Sequence, residues 1–255
     1  MELIDTHTHL YLSEFDDDIS AVMERARHEG VTKFFLPAID SLEFDRMLKL
    51  ESNFKGECYA MVGLHPCSVK ENFDDELVLV ESALKSRTFS AIGEIGLDFY
   101  WDKSFMLSQF TCFHKQIDFA LNKQLPIVIH SRNALDECIA VVNEYSQRGL
   151  KGIFHCFGGT LEQANRIIET GFLLGIGGIV TYKNSGLSEV LKHIDLKHLV
   201  LETDAPYLSP VPFRGKRNES SYLKYIALKI AEIKNVSVEE VAKATTLNVQ
   251  RIFVF

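Results

Sequence analysis

Leu3-Ile4-Asp5-Thr6-His7-Thr8-His9 sets a short apolar run directly against two histidines one residue apart. Alternate residues of a strand face the same side, so His7 and His9 project together, with α-carbons about 6–7 Å apart. Two imidazoles at that spacing can converge on one metal ion, with Asp5 on the same face as an orienting neighbour. The stretch also separates two folds. A doubly wound open sheet normally carries a glycine-rich phosphate turn after its first strand. Here the position is held by His7-Thr8-His9, which favours a barrel.

The rest of the chain reads the same way. Short apolar runs are expected as strands at Leu3–Asp5, Lys33–Pro37, Cys58–Gly63, Ala91–Glu94, Ile127–His130, Gly152–His155, Phe172–Gly177 and Leu199–Thr203. Helical segments are expected between them at Asp16–Glu29, Leu42–Ser52, Asp75–Lys85, Phe105–Asn122, Leu135–Arg148, Leu161–Glu169 and Leu187–His193. In the fourth, Phe110, Phe113, Ile117 and Leu121 recur every three or four residues and mark a buried stripe. Gly30, Gly149 and Gly171 follow three of these helices, where a left-handed cap wants glycine. Near-continuous apolar strands alternating with helices indicate a parallel sheet covered by helices. Eight such units in 255 residues predict a (β/α)8 TIM barrel, read as one domain over residues 1–255. Ser220–Ile233 and Val238–Arg251 are expected as extra C-terminal helices, the second entered through a capping box at Ser237-Val-Glu-Glu240.

Composition narrows the function. The net charge of −8 argues against a broad basic face that grips nucleic acid, though not against a small phosphate site. The one concentrated basic stretch is Arg214-Gly-Lys-Arg217. Five cysteines without a C-x-x-C pair read as reduced thiols, and with no signal peptide or membrane-length apolar run a cytoplasmic protein is expected. Cys156 is expected to point away from its neighbour His155, on the opposite face of the strand.

In a (β/α)8 barrel the active site forms where strands end and loops begin. Six of the eight strands end at a metal-capable residue or run into one: His7 and His9, His65, Glu94, His130, His155, and Glu202 with Asp204. Two divalent ions are expected, with His7, His9 and Asp204 on one, His130 and His155 on the other, and Glu94 bridging. Paired metals clamp the attacking and leaving oxygens of a displacement and lower the pKa of water between them. Asp204 is the expected proton acceptor, and Glu202 is expected to hold a ligating histidine. Gly93 and Gly96 are read as leaving room near the metals. His65 is expected to touch substrate or leaving group instead of serving as a ligand, the alternative being a histidine that stabilises its turn, and Arg132, Arg214 and Arg217 are expected to meet phosphate. Imidazole-rich ligation suits zinc, while phosphodiester chemistry commonly uses magnesium or manganese.

With these residues in view, the chain resembles the TatD family of metal-dependent deoxyribonucleases, within the amidohydrolase-like metallohydrolases. The matching motifs run along the whole chain. They are Asp5-Thr-His-Thr-His-Leu10, Gly63-Leu-His-Pro66, Gly93-Glu-Ile-Gly-Leu-Asp98, His130-Ser-Arg132, His155-Cys-Phe-Gly158, Leu201-Glu-Thr-Asp-Ala-Pro206, Arg214-Gly-Lys-Arg-Asn-Glu219 and Thr245-Thr-Leu-Asn248 with Arg251-Ile-Phe253. The resemblance implies a (β/α)8 barrel, ligands at His7, His9, Glu94, His130, His155 and Asp204, and hydrolysis of DNA phosphodiesters, often as an exonuclease. The expected activity is 3′-to-5′ on DNA ends or single strands. The alternative is an ester or amide hydrolase such as a D-aminoacyl-tRNA deacylase, since the family includes members credited with that reaction. Family members commonly carry Pro-Ala or similar after Arg-Asn-Glu, where this chain has Ser220-Ser221, and an acid after His-x-Arg, where it has Asn133.

Overall fold

The computed structural model describes residues 1–253 and 255. Among these, eight strands alternate with helices: β1 (Leu3–Asp5), α1 (Ile19–His28), β2 (Val31–Leu36), α2 (Ser41–Asn53), β3 (Cys58–Ala60), α3 (Phe73–Ser86), β4 (Ile92–Asp98), α4 (Met106–Lys123), β5 (Ile127–Arg132), α5 (Leu135–Glu144), β6 (Gly152–Phe154), α6 (Leu161–Glu169), β7 (Leu173–Ile176), α7 (Leu187–Lys192) and β8 (Leu199–Leu201). The strands pair in parallel as β1-β2-β3 and β4-β5-β6-β7-β8. Two seams close the ring. Val62 bridges Ile92 in parallel beyond the end of β3, and the Thr6 N–H and hydroxyl both donate to the Leu201 carbonyl beyond β1, each at 3.0 Å. The result is a (β/α)8 barrel.

The barrel interior is packed solid. Ile4, Phe35, Met61, Ala91, Val128, Ile153, Leu173 and Val200, one from each strand or its immediate flank, form a buried layer. Val249 and Phe253 join that layer from α9 (Val238–Ile252) and its C-cap. Two residues further along the chain, His130 stands above Val128 within β5, and His155 above Ile153 and Glu202 above Val200 one residue past the ends of β6 and β8. Apolar packing below thus sets the height of the polar residues above.

The expected helices form with small boundary shifts. Of the α4 stripe, Phe113 and Ile117 are wholly buried, each stabilising by about 1.5–3 kcal/mol; Phe110 and Leu121 pack half-buried against the core. Gly30, Gly149 and Gly171 all adopt left-handed φ of 75–88°. Ser237 accepts from the Glu240 N–H at 3.1 Å, while the reciprocal capping box belongs to Thr160 and Gln163 at α6. The C-terminal helices are α8 (Leu223–Lys234) and α9, packed on each other and on β8. No helix among the described residues is long and apolar enough to cross a membrane.

Candidate metal centre

Glu94 is the hub of the rim. Its Oε2 lies 3.1 Å from His7 Nε2 and 3.7 Å from His9 Nε2. Its Oε1 lies 2.8 Å from His130 Nδ1, 3.5 Å from His155 Nε2 and 3.5 Å from His65 Nε2. Asp204 Oδ1 joins the first group, 3.7 Å from His7 Nε2 and 3.5 Å from His9 Nε2. The two carboxylate oxygens of one residue therefore face two different sets of imidazoles, with His155 also stacked on His7 at 3.5 Å between ring centres. His65 stands within the second set, 3.3 Å from His130 Nδ1, with its Nε2 in range to act as a further ligand, while its Nδ1 accepts from the Cys67 N–H at 3.0 Å.

The cluster fits divalent cations. His7, His9 and Glu94 converge within ligand range, as do His65, Glu94 and His130, and His7, His155 and Asp204. Both ring nitrogens of His7 are buried without a hydrogen-bond partner among the described residues. A buried polar atom left so carries an uncompensated desolvation cost, and a cation beside His7 Nε2 would relieve it. Paired with Glu94 and Asp204, the set is imidazole plus carboxylate, the donors that zinc, manganese and related ions take.

Charge is concentrated here. Burial works against ionising Glu94, but His7, His65 and His155 hold its carboxyl well below the usual range. Asp204 is likewise lowered, burial being outweighed by His155 and His9. Burial opposes the charge on His155, yet Glu202, Glu94 and Asp204 push it up to about 10. His7 and His65 go the other way, lowered chiefly by burial.

A further shell of residues orients the imidazoles. Glu202 Oε1 accepts from the Cys156 N–H at 2.6 Å and sits 3.0 Å from His155 Nδ1 as a charged contact outside hydrogen-bond geometry, with His155 Nε2 towards Glu94. Room for that carboxylate comes from Gly175 on β7, where a Cβ would fall 2.2 Å from Glu202 Oε2. Asp98, which ends β4 and was given no role from the sequence, holds His130 Nε2 at 2.9 Å. Tyr11, also unassigned, contacts His9 Nδ1 at 3.0 Å. Its hydroxyl donates to the Pro37 carbonyl at 2.6 Å, so its proton is spent and it must accept from His9. That fixes the proton of His9 on Nδ1 and leaves the Nε2 lone pair facing Glu94 and Asp204. Two buried glutamines of α4 pin the loops: Gln116 Oε1 accepts from the Leu64 N–H at 2.7 Å beside His65, and Gln109 Oε1 from the Asp98 N–H at 2.9 Å.

Several sequence expectations need correction. Asp5 does not touch a histidine ring: it accepts from the Thr203 N–H and hydroxyl, from Ser220 Oγ at 2.6 Å, and from the His7 N–H. Burial pushes its carboxyl up to about 7 against those bonds. Ser220, where the family commonly differs, thus serves that network. The space at Gly93 and Gly96 belongs to the next strand: a Cβ on Gly96, φ 136°, would lie 2.1 Å from the His130 carbonyl oxygen, and one on Gly93 2.8 Å from Val128 Cβ. Cys156 is not turned away from His155; β6 stops at Phe154, Cys156 takes φ 49°, and its sulfur lies near His155 and Glu202. Burial raises its thiol well above the usual value. Arg217 is engaged by both oxygens of Asp18 at 2.8 Å and by the Glu14 carbonyl, and Arg214 stacks on Tyr182 at 4.2 Å. Neither borders the cavity over the cluster. That cavity, about 650 Å³, is lined by His9, His65, Glu94, His130, His155 and Asp204, with Arg132, Trp101 and Tyr207 at its walls.

Comparison with known proteins identifies the family. A family model described as TatD related DNase matches residues 4–254. The uncharacterized metal-dependent hydrolase YabD of Bacillus subtilis is 39% identical over 252 residues, 98% of each chain. The uncharacterized metal-dependent hydrolase YjjV of Escherichia coli is 32% identical over 253 residues, 98% of this chain and 97% of its own. The crystal structure of YjjV, a TatD homolog, matches with a TM-score of 0.93 at 31% identity, covering 98% of this chain and 97% of that one. The full-length relatives are described as metal-dependent hydrolases and share the fold; with the histidine and carboxylate cluster at the rim of this barrel, they define a metal-dependent hydrolase. The chain belongs to the TatD-related DNase family.

Proposed function

We propose that this protein is a 3′-to-5′ exodeoxyribonuclease that hydrolyses DNA phosphodiesters with two divalent ions, which Glu94 and the surrounding histidines would hold. The observation that carries the reading is the split of Glu94, Oε2 towards His7 and His9 and Oε1 towards His65, His130 and His155. His7, His9 and Asp204 would hold one ion, and His130 and His155, with His65 beside them, the other. Magnesium, manganese and zinc are the ions to test. Such a pair, when bound, supplies an activated water and shields charge on the oxygens of an in-line displacement at phosphorus.

The chain's own groups do the rest. Asp204, held ionised at the cavity edge, accepts the proton of the attacking water at its carboxylate. Glu202 keeps His155 in one orientation, and Asp98 does the same for His130. Arg132, on the cavity wall, meets a phosphate oxygen with its guanidinium. A recessed cavity of about 650 Å³ suits a strand end better than a continuous duplex, and the net charge of −8 disfavours wrapping one.

Attack on a carbonyl is the second reading, since the same groups serve an aminoacyl ester. Purified protein, freed of metal and then supplied with each ion, is assayed on 5′- and 3′-labelled single-stranded DNA beside D-aminoacyl-tRNA. Metal-dependent release of mononucleotides from the 3′ end is expected, abolished by chelator. Deacylation without DNA cleavage would refute the nuclease.

A further inference from the structure

The rim beside the cluster leaves its largest aromatic side chain in water. Trp101 is 68% exposed and Tyr100 50% exposed, their rings edge to face at 4.8 Å. Arg132 lies over both, its guanidinium carbon 3.9 Å from the Tyr100 ring centre and 5.2 Å from that of Trp101. Trp101 and Arg132 both line the cavity that holds the histidines.

This exposure does not come from a loose loop. Asp98 Oδ1 accepts from the Tyr100 N–H at 2.9 Å and the Trp101 N–H at 3.1 Å, while its Oδ2 holds His130. One carboxylate therefore fixes the aromatic turn and a proposed metal ligand to the same reference. On the far side, Asp102 accepts from Lys70 Nζ at 2.8 Å and from the Ser104 N–H at 2.9 Å. Arg132 is tied in as well, since its carbonyl accepts from the Phe99 N–H at 2.9 Å. An apolar face whose backbone is hydrogen-bonded open to solvent at a cavity mouth suits a flat partner, because the turn that carries it is already formed.

We infer that Trp101, Tyr100 and Arg132 form a stacking platform for an unpaired nucleobase of the strand whose end enters the cavity. The assignment deepens the nuclease reading and rests on it. An acidic chain repels a polyanion at long range, so affinity has to come from contacts that do not depend on net charge. Base stacking on an aromatic face is such a contact, and Arg132 adds a cation beside the base for the adjoining phosphate. A base inside a duplex has both faces covered by its neighbours, whereas an unpaired base swings free to stack, so the platform favours single strands.

Trp101 is the only tryptophan of the chain, so intrinsic fluorescence reports on it alone. Metal-supplemented full-length protein is titrated with a non-cleavable phosphorothioate oligothymidylate and with the same strand made abasic. Saturable quenching is expected, with affinity for the abasic strand roughly tenfold weaker. In cleavage of ordinary single strands, Trp101→Leu is expected to raise KM roughly tenfold with kcat changed less than about threefold, and to lose discrimination against abasic strands. Trp101→Phe should recover part of both, and unchanged melting temperatures would exclude misfolding. Wild-type cleavage with no quenching, or a Trp101→Leu enzyme that still discriminates against abasic strands, overturns the platform and leaves the nuclease intact. Wild-type protein that cleaves no strand overturns the nuclease itself, and the platform with it.

Discussion

Replacing Tyr11 with phenylalanine removes one oxygen and breaks two buried hydrogen bonds, 3.0 Å to His9 Nδ1 and 2.6 Å to the Pro37 carbonyl. A net hydrogen bond contributes about 1 kcal/mol, and a buried group left unpaired costs about 1–3 kcal/mol more. The metal-free protein should therefore lose about 2–4 kcal/mol of stability. The larger consequence falls on His9. Without an acceptor at Nδ1 its proton is free to move to Nε2, the nitrogen that faces Glu94 and Asp204. Loss of such an orienting partner costs about 10–100-fold in metal affinity. Calorimetric titration of Mn²⁺ or Zn²⁺ into chelator-treated wild type and Tyr11→Phe measures this, with urea unfolding of both as the stability control. Affinity within about threefold of wild type, in a variant whose stability has dropped, would refute the fixed tautomer.

Other perturbations separate the remaining parts of the site. Because His155 is raised to about 10 in the metal-free cluster, its contribution to stability is complete below its ordinary value near 6.5 and fades as pH rises through 10. Chelator-treated protein should lose more stability between about pH 7 and pH 10 than His155→Gln does, and equal losses in urea would contradict the assignment. Gly96→Ala, at φ 136° with its Cβ 2.1 Å from the His130 carbonyl oxygen, should destabilise by about 3 kcal/mol; a melting temperature within a degree of wild type would count against that packing. Arg217→Ala should cost about 1 kcal/mol through its part-exposed pair with Asp18 and leave KM for DNA unchanged, whereas Arg132→Ala should raise KM; equal KM effects would argue against the placement of these arginines.

Strand periodicity made the barrel legible because the interior layer is apolar on every strand, and the same period placed His130, His155 and Glu202 one step above it. Those three residues were visible for that reason, whereas His7, His9 and Glu94 stand an odd number of residues from the interior Ile4 and Ala91, and their strands carry register shifts. What stayed hidden depends on contacts between distant segments or on departures from strand geometry. Asp98 closes the motif that contains Glu94, yet nothing local says its carboxylate reaches across to His130 on β5. Tyr11 shares only proximity with His9, and its meaning depends on the Pro37 carbonyl, 26 residues away. Gln109 and Gln116 look like solvated helix positions until the loops that they bind are seen. Cys156 was misplaced because face alternation holds only while the strand lasts, and β6 ends before it. Arg217 read as a free cation because Asp18, its partner, is far away in the chain.

The central claim is that one carboxylate divides a pair of cations. A crystal equilibrated with Mn²⁺ and measured for anomalous scattering tests it directly. Two peaks are predicted, one beside Glu94 Oε2 near His7, His9 and Asp204, the other beside Oε1 near His130 and His155. A single peak, or peaks away from Glu94, would contradict the account.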